Sequence, residues 1–221
     1  IPTYDLTEST LNMMQKSILD MFSVQRERWR WDEKEEKAFF RGRDSRRERL
    51  ELVTLAKSHP HLFNCTITNF FFYKDEIDKF GPRVPHISFF EFFKFKFQIN
   101  IDGTVAAYRF PYLLAGNSVV LKQESPYYEH FYRKLTRYEH FVPFSRNPHV
   151  DLVKRVKWLK NHDREGFKIM KNARNFARDN LAPRNVFCYY LQVFKELAAR
   201  ISSPIEVMSD MEEVEVKKED D

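Results

Sequence analysis

The stretch AFFRGRDSRRERLELV, residues 38–53, places an apolar pair before an Arg-Gly-Arg sequence at residues 41–43. Residues 38–41 have the composition of a short buried strand, and residues 45–58 carry leucine and valine at helical spacing. A helix N-terminus exposes backbone N–H groups and carries a partial positive charge, so it attracts anions. The stretch therefore predicts a strand, a loop and a helix that together hold an anion.

The loop itself offers the groups that such a site needs. Gly42 would let an anion approach the backbone closely, and Arg41 or Arg43 could bind a phosphate through two parallel hydrogen bonds. Ser45 and Glu48 have the spacing of a capping box, which predicts the first turn of the helix. The alternative is that these arginines form surface ion pairs with the acidic residues nearby.

A second stretch repeats this chemistry further along the chain. Residues 100–109 read NIDGTVAAYR, which predicts a strand that passes through a tight Asp-Gly turn into a helix. The small residues leave room for a ligand, and Tyr108 and Arg109 come close to the predicted helix start. Two arginines from two such loops could neutralise a diphosphate. For Arg109 the alternative is again a surface ion pair.

Three further residues are candidates on weaker signals. Glu129 follows Pro126 near a helix start and could accept hydrogen bonds from a ribose, although an acid in a first helical turn is also favoured by the helix dipole. His86 precedes an aromatic segment and could line a base pocket, or it could be a structural hydrogen-bonding residue. Asn64 begins Asn-Cys-Thr, the pattern of an N-glycosylation site. No His/Cys cluster has metal-ligand spacing, so no metal site is predicted.

Alternating strand and helix signals predict an α/β fold with a largely parallel sheet and helices on both faces. Ligands of such sheets bind at the carboxyl ends of the strands, where residues 41–43 lie. We expect a lead-in helix and linker at residues 1–36, a nucleotide-binding domain at 37–201 and an acidic, disordered tail at 202–221. The other predicted elements are helices over Thr7–Phe22, Ser88–Phe97 and Ala106–Ala115, strands over Thr66–Tyr73, Phe97–Ile101, Ser118–Lys122 and Tyr138–Phe144, and three closing helices, the first capped by Asn147-Pro148 and the others over 164–180 and 184–200.

The charge is unevenly distributed along the chain. Residues 206–221 hold eight acids and two lysines, a net charge of −6, so the rest of the chain carries +11 against the total of +5. A basic body favours an anionic ligand or surface. A nucleic-acid-binding module is one alternative, but the 22 phenylalanines lie in core-like runs and no RNA-binding motif is present. No window is apolar enough for a membrane span.

Several stretches together resemble a known family, the protein O-glucosyltransferases, and within it the subgroup that carries a Lys-Asp-Glu-Leu retention motif. This group belongs to glycosyltransferase family 90, whose members share a capsule-associated (CAP10) domain. The resemblance extends from Ile1 to about Ile201. It rests on AFFRGRDSRRERLEL (38–52), TNFFFYKDE (68–76), HISFFEFFKFKFQINIDGTVAAYRFPYLL (86–114), NSVVLKQESPYYEHFY (117–132) and NVFCYYLQVF (185–194).

The resemblance implies a GT-B enzyme with two facing Rossmann-like domains, of which this chain would be the donor-binding one. It implies transfer of glucose, or sometimes xylose, from a UDP-sugar to a serine of an EGF-like repeat, with inversion and without a metal or other cofactor. Arg41, Gly42 and Ser45 match the family's phosphate loop and helix start. Arg109 matches the arginine that ends its Ala-Ala-aromatic-Arg motif.

The resemblance also sets expectations about what these residues lack. The family's catalytic base is an aspartate in an N-terminal half, so we expect no catalytic residue here and little or no transfer by this chain alone. Cys188 matches a family cysteine expected to pair with that half. The implied location is the lumen of the endoplasmic reticulum, although the chain ends in Lys-Glu-Asp-Asp and not in a retention tetrapeptide. A non-catalytic relative that binds a nucleotide or a protein partner is the alternative function.

Overall fold

The computed structural model describes residues 2, 18–203 and 208–211, with the backbone alone for residues 23–27. A first helix, α1, spans Ile18–Arg28, so most of the predicted helix over residues 7–22 lies outside the described residues. The same holds for most of the acidic tail. Among the described residues, no helix is both long and apolar enough to cross a membrane.

The described chain then alternates between strands and helices, as the sequence predicts. Short 3-10 turns cover Trp31–Glu33, Lys74–Glu76, Phe89–Lys94 and Tyr132–Lys134. The main elements are β1 (Glu35–Arg43), α2 (Arg47–Ser58), β2 (Phe63–Asn69), α3 (Ile77–Phe80), β3 (Phe95–Asn100), α4 (Phe110–Ala115), β4 (Val119–Gln123), β5 (Val142–Phe144), α5 (Pro148–Asn161), α6 (Asp163–Leu181) and α7 (Pro183–Ala198).

The five strands form one sheet in the order β2-β1-β3-β4-β5, and every pairing is parallel. The chain runs outward from β1 to β2, crosses back to β3 on the other side of β1, and then continues to β5. The strand order therefore reverses between β1 and β3. In parallel sheets of this order a ligand crevice lies outside the carboxyl ends of the two strands at the reversal.

Helices cover both faces of the sheet, which confirms the predicted fold class. Successive strand residues point to opposite faces, so Phe40 packs with α2 and α5 while Phe39 packs on the other face with α1, α4 and α6. Both phenylalanines are 1% exposed. Most of the phenylalanines in the predicted core runs are therefore buried between the sheet and its two helical layers.

Three predicted elements differ in the structure, each for a local reason. The strand predicted over Thr66–Tyr73 ends at Asn69, because β1, its neighbour, ends at Arg43. The helix predicted over Ser88–Phe97 is a 3-10 turn followed by β3, and the Ser88 hydroxyl accepts a hydrogen bond from the Phe90 amide at the start of that turn. In the predicted Tyr138–Phe144 strand, the left-handed backbone of Tyr138 (φ 60°) leaves only Val142–Phe144 as strand.

The start of α4 differs from the prediction, and the start of α5 agrees with it. The helix predicted from Ala106 begins at Phe110, and Pro111 occupies its first turn, where a missing N–H costs nothing. At α5 the Asn147 side chain accepts a hydrogen bond of 2.9 Å from the His149 amide, which confirms the predicted cap.

A buried lysine joins the start of β1 to the segment that precedes β3. The ammonium group of Lys34 donates hydrogen bonds to the Phe93 carbonyl and to Oδ1 of Asn117. Burial, and to a smaller extent repulsion from Lys96, lowers the pKa of Lys34 from 10.5 to about 7. Between those two values the unfolded chain binds a proton that the folded chain has released.

Stability is therefore expected to rise with pH between about pH 7 and pH 10, by up to about 5 kcal/mol in total. In Lys34→Met this rise should disappear, and urea unfolding at a series of pH values measures it. Lys57→Met is the matched control, because Lys57 also donates to two carbonyl groups but is exposed. Equal pH profiles for Lys34→Met and the parent chain would contradict the prediction.

Candidate functional site

A cavity of about 370 Å³ lies at the reversal of strand order, outside the carboxyl ends of β1 and β3. Its volume is within the range of small-molecule sites. Cationic side chains and aromatic side chains contribute most of its wall. The lining residues are Arg41, Gly42, Arg43, Arg49, Thr68, His86, Ile87, Phe89, Phe92, Tyr108, Arg109 and Tyr112.

Two guanidinium groups meet above the backbone of Gly42. The position of a Cβ atom on Gly42 would lie 3.1 Å from Nη2 of Arg109 and 3.3 Å from Nη1 of Arg49. It would also lie 2.8 Å from the Phe40 ring, so any side chain here displaces the cluster. Glycine is therefore required here because the two guanidinium groups lie so close to the backbone. The sequence prediction gave a different reason, the close approach of a ligand.

Arg49 connects the two loops of the site. Its guanidinium donates to the Asp102 carbonyl (2.8 Å), the Ile101 carbonyl (3.2 Å) and the Arg43 carbonyl (3.0 Å), and also to the Ser45 hydroxyl (3.1 Å). These bonds tie the end of β1 to the end of β3. Burial and the adjacent charge of Arg109 lower the pKa of Arg49 to about 9.

Arg109 is a half-buried arginine of the cavity that keeps most of its N–H donors available. Its Nη1 donates to the Arg41 carbonyl at 2.6 Å, and its guanidinium lies 5.2 Å from the centre of the Phe40 ring. A guanidinium has five N–H donors, so four donors of Arg109 make no hydrogen bond to the described residues. Burial lowers the pKa of Arg109 to about 10. An anion beside Arg109 and Arg49 would relieve the repulsion between the two charges and occupy these donors.

Arg41 lines the cavity, but its guanidinium is already held by the neighbouring strand. It donates to the Asn64 carbonyl (2.9 Å), to Oδ1 of Asn64 (2.6 Å) and to the Phe40 carbonyl (2.9 Å). Fewer of its donors than those of Arg109 remain for a ligand. Asn64, the predicted glycosylation site, is half-buried in the edge strand β2, and its modification stays a prediction.

The capping box predicted at Ser45 is wrong. The N-cap of α2 is Arg46, one residue later than predicted, and no side chain caps this helix. The Ser45 hydroxyl accepts a hydrogen bond from Arg49 instead. Ser45 is not among the residues that line the cavity, so it supports the site through Arg49.

The acidic residue beside the arginines has a separate role. Asp44 is fully buried, and its carboxylate accepts hydrogen bonds of 2.7–2.9 Å from the amides of Phe71, Phe72 and Tyr73. This fixes the segment that follows β2. Arg43 is exposed and lies 5.2 Å from the centre of the Phe71 ring, at the cavity rim. Ion pairs with nearby acidic residues, which were the alternative for these arginines, are made by Arg46 and Arg47.

Six of the eight predicted binding residues thus line one cavity, and Ser45 and Glu129 do not. Glu129 is buried beside Tyr132, and burial together with this carboxylate raises the pKa of Tyr132 above its usual value. The sequence interpretation missed Arg49 and Thr68. The position of Arg49 one helical turn after Ser45 was the available signal.

Comparison with known proteins decides the family. The model of "Glycosyl transferase family 90" matches residues 1–219. The chain belongs to glycosyltransferase family 90. It is 50% identical over 221 residues to protein O-glucosyltransferase 2 of Danio rerio and 49% identical over 213 residues to human protein O-glucosyltransferase 3. A more distant relative, human protein O-glucosyltransferase 1, is 25% identical over 175 residues.

The family 90 chain spans less than half the length of these relatives. It covers 44% of the zebrafish protein and 42% of human protein O-glucosyltransferase 3, while 100% and 96% of the chain are matched. The alignment therefore joins the whole of this chain to one part of a larger glucosyltransferase.

Solved structures confirm the fold as that of GT-B glycosyltransferases. Sucrose-phosphate synthase from Thermosynechococcus elongatus superposes with a TM-score of 0.57 at 11% identity, over 82% of this chain and 49% of that one. TarM superposes with a TM-score of 0.52 at 14% identity, over 73% and 35%. Each match covers half or less of the neighbour.

Proposed function

We propose that this chain is the donor-binding part of an inverting, metal-independent protein O-glucosyltransferase that uses UDP-glucose or UDP-xylose. The observation that carries the proposal is the convergence of Arg109 and Arg49 above Gly42, inside a cavity at the strand-order reversal. Family 90 membership and the names of the relatives support the glucosyl part of it.

The arginines would act on the leaving group. In glycosyl transfer with inversion, a serine oxygen attacks the anomeric carbon as the bond to the UDP oxygen breaks, so negative charge grows on the diphosphate. Fixed cationic donors aimed at that charge lower the barrier because they need little reorganisation during the reaction. Arg109 would supply hydrogen bonds, and Arg49 would supply mainly its positive charge, since four of its donors are occupied.

The rest of the cavity wall suits the nucleoside. Phe89, Phe92 and Tyr112 give an apolar surface on which a uracil ring can pack, as aromatic side chains do with bases generally. His86 and Tyr108 add polar groups at the exposed rim. A cavity lined by an aromatic cluster (Phe89, Phe92 and Tyr112) and by the arginines above Gly42 has groups suited to both ends of a nucleoside diphosphate.

The acceptor of the sugar and the cellular location are proposed from the resemblance to the protein O-glucosyltransferases. Serine of an EGF-like repeat is the acceptor that we propose, and the endoplasmic reticulum lumen is the location. We assign the catalytic base to none of the 221 residues. The described residues contain no group of three or more His, Cys, Asp or Glu side chains placed to hold a metal ion.

Calorimetric titration of the purified chain tests the donor-binding part directly. We expect saturable binding of UDP, weaker binding of UMP, which has one phosphate fewer for the arginines, and weaker binding of ADP, whose base differs. Absence of UDP binding by a folded chain would contradict the proposal. Equal affinity for UDP and ADP would contradict its uridine part.

A further inference from the structure

One threonine of the cavity wall has a buried hydroxyl group with no hydrogen-bond partner among the described residues. Thr68 lies in β2 and is 7% exposed, and its Oγ1 atom makes no hydrogen bond to any of the described residues. The residue lines the same cavity as Arg49 and Arg109. It shares its face of the strand with Asn64 and Thr66, because Cys65 and Ile67 point into the core on the other face.

A buried hydroxyl group without a hydrogen bond lowers the stability of the folded chain. A buried polar group without a partner loses its hydrogen bonds to water and gains none in return. A valine of nearly the same shape would avoid that cost. What sets Thr68 apart from Thr66, whose hydroxyl is also buried without a hydrogen bond to the described residues, is that Thr68 lines the cavity. A hydroxyl can both donate and accept, which suits it to an uncharged polar group.

We propose that Thr68 is a ligand-binding residue that hydrogen-bonds an uncharged polar group of the nucleoside diphosphate sugar. This inference rests on the proposed function. The charged part of the ligand is assigned to the guanidinium groups above Gly42. Thr68 therefore contributes to specificity, through a hydrogen bond either to the base or to a hydroxyl group of the sugar. These two cases differ in which ligands bind more weakly when the Thr68 hydroxyl is removed.

The chain supplies a closely matched control two residues away. Thr66 lies on the same face of β2, and its Oγ1 is likewise buried without a hydrogen bond to the described residues. Thr66 does not line the cavity. Thr66→Val and Thr68→Val thus make the same chemical change in the same strand, and only the second changes a residue that lines the cavity.

The experiment measures the affinities of uridine, UDP and UDP-glucose for the parent chain and for both valine variants. The chains are made in bacteria, so that loss of the Asn-Cys-Thr pattern in Thr66→Val has no effect through glycosylation. Both variants should melt at or above the parent temperature. Thr68→Val should bind at least one ligand roughly 5- to 30-fold more weakly, while Thr66→Val binds as the parent does.

The pattern across ligands identifies the group that Thr68 recognises. A loss shared by uridine, UDP and UDP-glucose assigns it to the nucleoside, and a loss confined to UDP-glucose assigns it to the sugar. Thr68→Ser, which keeps the hydroxyl, should recover parent affinity. If UDP and UDP-glucose bind the parent chain and both valine variants equally, this inference is overturned while the proposed function stands. If UDP fails to bind the parent chain, the proposed function fails first.

Discussion

Replacing Arg109 with alanine is expected to weaken UDP binding by roughly 100-fold, which corresponds to about 3 kcal/mol. The reason is the number of donors that this side chain has available. Among the described residues it makes one hydrogen bond, to the Arg41 carbonyl, and a guanidinium with four remaining donors can bind a diphosphate at two points. Hydrogen bonds between charged groups contribute about 1.5–3 kcal/mol each.

The control for Arg109→Ala is Arg133→Ala, because Arg133 is exposed and lies outside the cavity. Both changes remove one positive charge, so a general electrostatic effect would appear in both. Arg109→Lys should fall between the two, since an ammonium group keeps the charge but loses the planar pair of donors. Titration calorimetry measures all three variants. Equal UDP affinity in Arg109→Ala and Arg133→Ala would contradict the assignment.

The second large effect is expected on stability, from Gly116→Ala. A Cβ atom on Gly116 would lie 1.8, 2.3 and 2.6 Å from three ring atoms of Phe93, which is fully buried. Overpacking in a closed core typically costs 1–3 kcal/mol. Since the Phe93 ring has no solvent-exposed position to move into, we expect a loss of about 3 kcal/mol or more in the free energy of unfolding.

Gly166→Ala is the control for that substitution. Its Cβ atom would meet its nearest neighbours at 3.5–3.7 Å, which is ordinary contact, and alanine favours helix α6 by up to about 1 kcal/mol. Chemical denaturation measures both variants. The double variant Gly116→Ala with Phe93→Leu should recover part of the loss. A Gly116→Ala variant as stable as Gly166→Ala would show that Phe93 does not fill this space.

Much of this fold was predictable because its signals are local. The Phe39-Phe40 pair directs one ring to each face of the sheet, so it predicts a strand covered on both sides. Proline and asparagine fixed the start of α5 through chemistry that acts within a few residues. The alternation of strands and helices then implied a parallel sheet. A parallel sheet in turn predicts a site at the carboxyl ends of its strands.

Two contacts at the site were not predicted. The serine of the predicted capping box is bonded to Arg49, and Arg41 is held by Asn64 from the adjacent strand. Asn64 could not be chosen without knowing the strand order, and Arg49 is held beside Ser45 by the carbonyl groups of Ile101 and Asp102, which are distant in sequence. Thr68 carried no signal at all, because a single threonine in a predicted strand looks the same whether or not it faces a cavity.

The most direct test of the central claim is a crystal structure of this chain with UDP bound. The account predicts the diphosphate above Gly42, with phosphate oxygens at about 2.7–2.9 Å from Arg109 and in close contact with Arg49. It also predicts the uracil against the aromatic wall that contains Phe92 and Tyr112. UDP bound elsewhere on the chain, with Arg109 making no contact to phosphate, would contradict it.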